Sequence, residues 1–141
     1  MPKNMISVDV SDLKKLRDQL QGIVNDRDEI MRQLTNEIAA RLLRRVKMRT
    51  PVGKTTKTHK GGTLRRGWRV GDITKNGDIY EIEIINNVEY APYVEYGHRT
   101  ANHKGWVRGR FMLTISEKEI SSQVDKIIEK RLEKIMKGAI K

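Results

Sequence analysis

Three histidines are the residues of this chain that could ligate a metal ion or transfer a proton near neutral pH. His98 and His103 lie five residues apart, and His59 lies elsewhere in the sequence. Cysteine is absent, so disulfides, thiol chemistry and thiolate zinc sites are excluded. No carboxylate is spaced to complete a site with the histidines. We therefore expect no metal site and no cofactor.

A general base beside arginines would suit the cleavage of RNA. Glu95 or a histidine could accept the proton, and arginines could stabilise phosphate charge. These residue types are present, but no spacing selects them as a set. Gly53-Lys54-Thr55 is incomplete as a phosphate-binding loop, because the earlier glycine is missing at Lys47-Met48. We expect no catalytic residues and no enzyme, with a basic ribonuclease toxin as a weaker alternative.

Positive charge is the strongest feature of the composition. The chain has 29 Lys and Arg against 18 Asp and Glu, a formal net charge of +11. Residues 41–69 include eleven of the basic side chains and no acidic one. A field of one sign attracts phosphate or an acidic protein surface. The residues expected to contact a partner or DNA in a channel are Lys54, Lys57, Lys60, Arg65, Arg66 and Arg69.

Apolar residues at helical spacing predict helices near both ends of the chain. Ser11 is a candidate N-cap of the first, and Asp26 with Glu29 resembles a capping box at a second start. This region is one long helix, or two joined by a kink near 22–28, and it must end before Thr50-Pro51. Ser116 with Glu119 forms a candidate capping box for the last helix.

Alternation between residues 67 and 97 predicts antiparallel strands. Asn76-Gly77 is a strong hairpin turn, and Ile79 to Ile85 alternates as a strand. Val88 to Tyr96 is expected to add a third strand, bent at Pro92 and lying at a sheet edge. We predict an α+β fold in which a small antiparallel sheet of about three to four strands is packed by a long N-terminal helix and a C-terminal helix.

A length of 141 residues is most economically one domain, covering 1–141. Its predicted parts are a helical region 11–49, a flexible basic loop 51–66, an antiparallel sheet 67–97, a basic loop 98–113 and a C-terminal helix 115–137. No apolar run approaches the roughly 20 residues that span a bilayer, and no signal-peptide core follows the first residues. We expect a soluble protein made in the cytosol.

Three of the four tyrosines fall within seven residues. Tyrosine is enriched at protein interfaces, and nearby glutamates offer partners to the many arginines. The residues expected in or beside a contact between subunits are Tyr90, Tyr93, Glu95 and Tyr96. Packing of these rings inside the chain's own core is an equal alternative.

Several segments together resemble the gene-product-ten-like family of tailed phages, which are small virion proteins of the neck. The matching segments are the helix end Thr50-Pro51-Val52-Gly53, the stretch Gly62-Thr63-Leu64-Arg65-Arg66-Gly67-Trp68, and the block Tyr90-Ala91-Pro92-Tyr93-Val94-Glu95-Tyr96-Gly97-His98-Arg99. Phe111, before the last helix, also matches. The resemblance covers about residues 30–135, although the family's proline-rich stretch is replaced here by Trp106-Val107-Arg108-Gly109-Arg110.

The resemblance implies a structural virion protein, a minor tail component that acts in head–tail joining or tail completion. It would be a subunit of a ring at the head–tail interface, for which six copies is one option. Implied partners are further copies of itself, neighbouring neck, connector, tail-tube or terminator proteins, and DNA in the channel, but no membrane. Its location would be the neck or tail of the virion, after assembly in the host cytoplasm. A free nucleic-acid-binding protein is the main alternative, and it would bind as a monomer with a steep salt dependence.

Overall fold

The computed structural model describes residues 10–58 and 60–139, which form helices and short antiparallel strands. The helices are α1 (Val10–Asn25), α2 (Arg27–Arg49), α3 (Thr63–Arg66), α4 (Ala91–Tyr96) and α5 (Met112–Ala139). The strands are β1 (Trp68–Val70), β2 (Thr74–Asn76), β3 (Ile79–Glu81), β4 (Ile84–Asn86), β5 (Gly97–Arg99) and β6 (Trp106–Arg108). The predicted α+β class, with a long helix towards each end of the chain, is confirmed.

The N-terminal helical region is two helices that meet at Asp26. Asp26 is the N-cap residue of α2, but its side chain makes no capping hydrogen bond, so the predicted capping box is not formed. The backbone N–H of Asp26 still donates to Gly22 O at 3.1 Å, and that of Ile30 donates to Asp26 O at 2.9 Å. Ser11 lies inside α1 and is therefore not its N-cap. As predicted, α2 ends at Arg49, before Thr50-Pro51.

The hairpin predicted around residue 76 is confirmed, with its turn one residue later. Asn76 pairs with Ile79, so the two loop residues are Gly77 and Asp78. The strand predicted from Ile79 to Ile85 is divided, because β3 pairs with β2 whereas β4 pairs with β1. Between the two ladders, residues 71–73 lie opposite residues 82–83. The extra residue interrupts the pairing, as in a β-bulge.

The predicted third strand from Val88 to Tyr96 is wrong, because α4 occupies its second half. Pro92 lies in the first helical turn, where its missing N–H leaves no hydrogen bond unmade. The next strands, β5 and β6, pair with each other inside a segment that was expected to be a loop. In the described residues the strands thus form three two-stranded ladders.

The hydrophobic core joins α2, α3, β1, α4 and α5. Its buried residues are Val46, Leu64, Trp68, Ala91 and Met112. Burial of a side chain as large as valine or methionine contributes about 1.5–3 kcal/mol. This cluster fixes α4 and the beginning of α5 beside the C-terminal end of α2.

Thr50 connects that core to the end of α2 by hydrogen bonds. Its buried hydroxyl donates to Val46 O at 2.6 Å and accepts the indole N–H of Trp68 at 2.7 Å. The polar atoms of Thr50 and Trp68 are therefore satisfied where no water reaches them.

The last helix begins earlier than the predicted capping box. Ser116 is fully buried in the second turn of α5, and its hydroxyl donates to Met112 O at 2.6 Å. It is therefore not an N-cap. Glu119 instead pairs with α2, accepting from Arg45 at 2.6 Å and also from Arg49.

Candidate interaction surfaces

Helix α4 places the tyrosines on the outside of the chain. Residues three apart lie on the same side of a helix, so Tyr90, Tyr93 and Tyr96 share one stripe. Tyr93 is 59% exposed and Tyr96 65% exposed, whereas Ala91 on the opposite side is buried. The alternative in which these rings form the chain's own core is therefore wrong.

Glu95 points the other way and caps α5. Its side chain is only 6% exposed. One carboxylate oxygen accepts the backbone N–H of Leu113 at 3.0 Å, and the other accepts the N–H and hydroxyl of Thr114 at 3.0 and 2.8 Å. A negative charge at a helix N-terminus is stabilising. Glu95, one of the four residues expected at a subunit contact, thus faces its own chain and not outward with the tyrosines.

Strands β5 and β6 form a two-stranded ribbon that continues from α4, and we call residues 97–99 with 106–108 the aromatic ribbon. Arg99 pairs with Trp106, and His98 pairs with Val107. Trp106 is 62% exposed and Val107 is also exposed, although they lie on opposite faces of the ribbon. The Tyr93 ring meets the His98 ring edge-on, with centroids 6.3 Å apart.

The aromatic ribbon is rooted by close backbone contacts. Gly97 has a φ of 92°, and a Cβ there would lie 2.5 Å from Val107 O. The N–H groups of Arg110 and Phe111 donate to the carbonyls of Val94 and Glu95 at 2.8 and 3.0 Å, which satisfies the end of α4. The ribbon therefore projects from a fixed base.

Cations surround the exposed rings of the ribbon. No Asp or Glu occurs from residue 96 to residue 116. The exposed Lys and Arg side chains on and beside the ribbon are Arg99, Lys104, Arg108 and Arg110. In the part of the chain that the structure describes, none of them forms an ion pair. The surface is aromatic, cationic and uncompensated.

The six basic residues predicted as a partner or DNA contact lie on the loop between α2 and α3 and just after it. Lys54, Lys57 and Lys60 are exposed on the loop between α2 and α3. That loop is closed at its base, since Gly61 lies against the backbone of Gly53 and leaves no room for a Cβ.

The three arginines of this set lie after the loop. Arg65 donates twice to Thr50 O, at 3.2 and 2.7 Å, and Arg66 donates to Gly61 O at 3.1 Å. These two side chains therefore fold back on their own backbone. Arg69 is exposed on β1.

A groove lined by arginines runs between α2 and α5, and we call it the arginine groove. None of its lining residues is among the predicted site residues. Its volume is about 560 Å³. The arginines lining it are Arg41, Arg44, Arg45 and Arg49. Glu119 neutralises part of this charge through Arg45 and Arg49. The signal in the sequence is the repeat of basic residues at helical spacing along the end of α2.

The β2–β3 hairpin is fastened to the first turn of α2 through Asp28. The Tyr80 hydroxyl donates to Asp28 Oδ1 at 2.5 Å, Lys75 donates to the same oxygen at 3.3 Å, and Arg32 donates to Oδ2 at 2.9 Å. The hydrogen bond from Tyr80, followed by that from Arg32, holds the pKa of Asp28 well below its usual range. Asp28 is therefore ionised at neutral pH.

Comparison with known protein families gives one match. A family model described as "Bacteriophage HK97-gp10, putative tail-component" matches residues 10–97, more than half of the chain. The chain belongs to the HK97-gp10-like family of bacteriophage tail components. The predicted resemblance to a gene-product-ten-like phage family is confirmed. No curated protein and no solved structure is significantly similar to it.

The match to the HK97-gp10-like family ends where β5 begins. It includes the basic loop, the β2–β3 hairpin and the tyrosines of α4. Strand β6 and α5 lie beyond it, although the resemblance noted in the sequence continues to about residue 135. Membership makes the protein a structural component of the phage tail and so of the virion.

The residues that the structure describes were searched for a metal-binding cluster and for a membrane-spanning helix. Within residues 10–58 and 60–139, no cluster of three or more His, Asp or Glu could hold a metal ion. His59, one of the three histidines considered, lies outside the described residues. No helix in the described ranges is both long and apolar enough to cross a membrane.

Proposed function

We propose that this HK97-gp10-like protein is a subunit of a ring in the phage neck, where it joins the head to the tail or completes the tail. The observation that carries the proposal is the group of exposed rings on α4 and β6 of a tail component. Tyr93, Tyr96 and Trp106 are each more than half exposed. Exposed apolar patches with a polar rim mark sites of protein interaction.

A ring explains why such a surface is uncovered in a single chain. Rings are built from heterologous contacts, in which one patch binds a different patch on the next copy. Each copy then covers its neighbour's exposed rings. The role requires no reaction and no cofactor.

The mass of the purified protein in solution tests the proposal. We would measure light scattering at low and high salt, for the protein alone and with neighbouring tail proteins. The expected result is a defined ring, or a monomer that becomes a ring when tail-tube protein is added. A monomer that ignores tail proteins and binds nucleic acid would contradict the proposal.

Tyr93→Ala tests the exposed tyrosine surface. We expect assembled protein to shift towards monomer, because truncation of a tyrosine at the centre of an interface commonly costs more than 1 kcal/mol of binding. Leu13→Ala, at an exposed apolar residue of α1, is the control and should leave assembly intact. Unchanged assembly of the Tyr93 variant would remove this surface from the interface.

Charge reversal of the loop tests contact with a second partner. Lys54, Lys57 and Lys60 changed together to Glu should abolish head–tail joining in a reconstitution assay while thermal unfolding stays the same. The matched control reverses Lys126, Lys130 and Lys134, which are exposed on α5. Joining that survives the loop variant would show that the loop lysines make no essential contact.

Nucleic-acid binding is a second candidate function, and the arginine groove favours it. Arg44 is exposed in that groove and forms no ion pair among the described residues. If the groove binds phosphates, Arg44→Ala should weaken DNA binding and lower the salt slope by about 1. Equal salt slopes for the variant and the natural protein would contradict it.

A further inference from the structure

We infer that the aromatic ribbon of one copy binds the acidic face of the β2–β3 hairpin of the next copy. This inference rests on the proposed ring and identifies the two surfaces that meet in it. We call the second surface the acidic hairpin. Its exposed carboxylates belong to Asp72, Asp78, Glu81 and Glu83.

The outer face of the acidic hairpin is apolar at one point and anionic around it. Tyr80 faces α2, so its neighbours Ile79 and Glu81 face away from α2. Ile79 is 62% exposed. A cleft of about 440 Å³ at the base of the hairpin is lined by Asp72, Glu81 and Glu83, together with Arg69. Within the described residues, none of the four hairpin carboxylates forms an ion pair.

The aromatic ribbon has the complementary arrangement. Trp106 is exposed beside Arg99 and Arg108, and all three lie on one face of the ribbon. An apolar centre within a charged rim is the usual anatomy of a protein interface. The rims of the ribbon and of the hairpin have opposite signs, which gives the contact its specificity and orientation.

The two surfaces lie towards opposite ends of α2. Asp28, in the first turn of α2, holds the hairpin. Val46, near the C-terminal end of α2, packs with Ala91 and Met112. Ala91 begins α4, which precedes the ribbon, and Met112 begins α5, which follows it. Val46 lies eighteen positions after Asp28, and at about 1.5 Å per residue the two are roughly 27 Å apart along the helix. Patches placed in this way suit a head-to-tail contact between copies.

A second copy suits the ribbon better than nucleic acid does. Arginine and tryptophan could also bind phosphates and stack on bases. However, the ribbon exposes apolar side chains on both of its faces, and this same chain supplies a surface with matching carboxylates and an exposed isoleucine. We therefore infer that the ribbon binds a second copy of the chain. Binding of nucleic acid by the ribbon is an alternative outcome of the experiment.

Charge reversal on each surface tests the contact with the full-length chain. The ribbon variant is Arg99→Glu with Arg108→Glu, and the hairpin variant is Glu81→Lys with Glu83→Lys. Each variant alone should raise the concentration needed for half assembly by roughly tenfold or more, since like charges then meet. The controls on α5 are Lys126→Glu with Lys130→Glu, and Asp125→Lys with Glu129→Lys, which should assemble normally.

Combining the two variants separates a heterologous contact from other effects. In an equal mixture each reversed ribbon meets a reversed hairpin of the other variant, and each unchanged ribbon meets an unchanged hairpin. A chain with all four substitutions has the same complementarity. We expect both samples to recover assembly. Recovery is the result that a general loss of folding would not give. The α5 controls change the net charge by the same amounts as the two variants, so they separate the contact from an effect of net charge.

Three outcomes would overturn the inference. If the natural protein forms a ring and the single-surface variants do so equally well, the ring stands and this contact is wrong. If both variants lose assembly but neither the mixture nor the four-fold variant recovers it, the two surfaces do not meet. If the ribbon variant assembles normally but loses binding to a DNA oligonucleotide, the ribbon binds nucleic acid. A natural protein that never assembles, even with tail proteins, would contradict the proposed function itself.

Disulfide trapping gives a second measurement that does not depend on charge. The chain has no cysteine, so introduced cysteines have no competitors. A mixture of Glu81→Cys and Arg99→Cys chains should give mainly the mixed disulfide dimer under mild oxidation. Predominance of either homodimer, or a yield equal to that of a Lys126→Cys control, would contradict the contact.

Discussion

The β2–β3 hairpin and the aromatic ribbon are both two-stranded, with three residues in each strand, yet they are held in different ways. The hairpin lies against α2, where Tyr80 and Lys75 donate to Asp28. The ribbon is held only at its root, where Gly97 and Gly109 approach neighbouring backbone, and its strand β6 is exposed throughout.

This difference shows how far each of the two elements is stabilised by contacts within its own chain. An isolated two-stranded hairpin is at best marginally stable in water. The β2–β3 hairpin gains its stability from polar contacts with a helix of its own chain. The ribbon has no such support beyond its root, and its exposed tryptophan and valine become buried only if another molecule covers them.

Gly97→Ala should have the largest effect, because it breaks the root of the ribbon. The new Cβ would lie 2.5 Å from Val107 O and 2.8 Å from Gly109 N, both of them backbone atoms that cannot simply rotate away. Backbone strain of this kind costs about 1–3 kcal/mol before the clash is added. We expect the free energy of unfolding to fall by about 3 kcal/mol in denaturant titrations. Gly22→Ala, where the added Cβ meets nothing within 4 Å, is the control.

Glu95→Ala should have the next largest effect, because it removes the cap that joins α4 to α5. Two backbone N–H groups and the Thr114 hydroxyl lose their partner, for a loss of about 2–3 kcal/mol in unfolding free energy. Glu95→Gln keeps one accepting oxygen and should restore part of the loss. Glu89→Ala, at an exposed position, should change nothing. Equal stability of all three variants would contradict the capping role.

Asp28→Asn should release the hairpin and leave the ribbon unchanged. We expect faster hydrogen exchange at residues 74–81 but not at residues 97–108, because only the hairpin depends on this carboxylate. A uniform increase in exchange across both segments would contradict this separation.

The effect of Asp28 should also depend on pH. Its pKa is lowered in the folded protein, chiefly by the hydrogen bond from Tyr80. The stabilisation is therefore complete above the unfolded pKa of about 3.9 and is lost as the pH falls through the folded value. The difference in thermal midpoint between the natural protein and Asp28→Asn should stay constant from neutral pH to about pH 5 and shrink in stronger acid. A difference that grew in acid would have the wrong sign.

Tyr96→Ala should have the smallest effect on the isolated chain. A substitution at a surface position with no specific contact changes stability by about 0.5 kcal/mol or less. Thermal unfolding of the monomer should therefore match that of the natural protein. A large loss would mean that this ring packs within its own chain.

The sequence predicts the long helices near the two ends of the chain and the first hairpin well because their signals are local. The apolar stripe of α2, the stop at Thr50-Pro51 and the turn near Gly77 each depend on a few neighbouring residues. The α+β class follows from them. The tyrosine segment also looked unusual from its composition alone, and the structure places its rings on the surface.

The rest depends on contacts between distant residues. Glu95 caps α5 through residues 18 and 19 positions later, so no local pattern announces it. Pro92 is compatible with the first turn of a helix as well as with a bend in an edge strand, and the contacts of Ala91 with the core decide for the helix. The sequence predicts Arg65 and Arg66 as basic contact residues, and their hydrogen bonds to backbone carbonyls are formed only once the loop has folded.

The close approach of Gly53 and Gly61 separates the loop between α2 and α3 from the rest of the fold. Because the loop is closed at its base, its length and charge can change without disturbing Thr50, Trp68 or the core behind them. Doubling the length of a flexible loop costs only about 0.6 kcal/mol. The residues between these glycines can therefore vary in number and charge while the fold of the rest of the chain is retained.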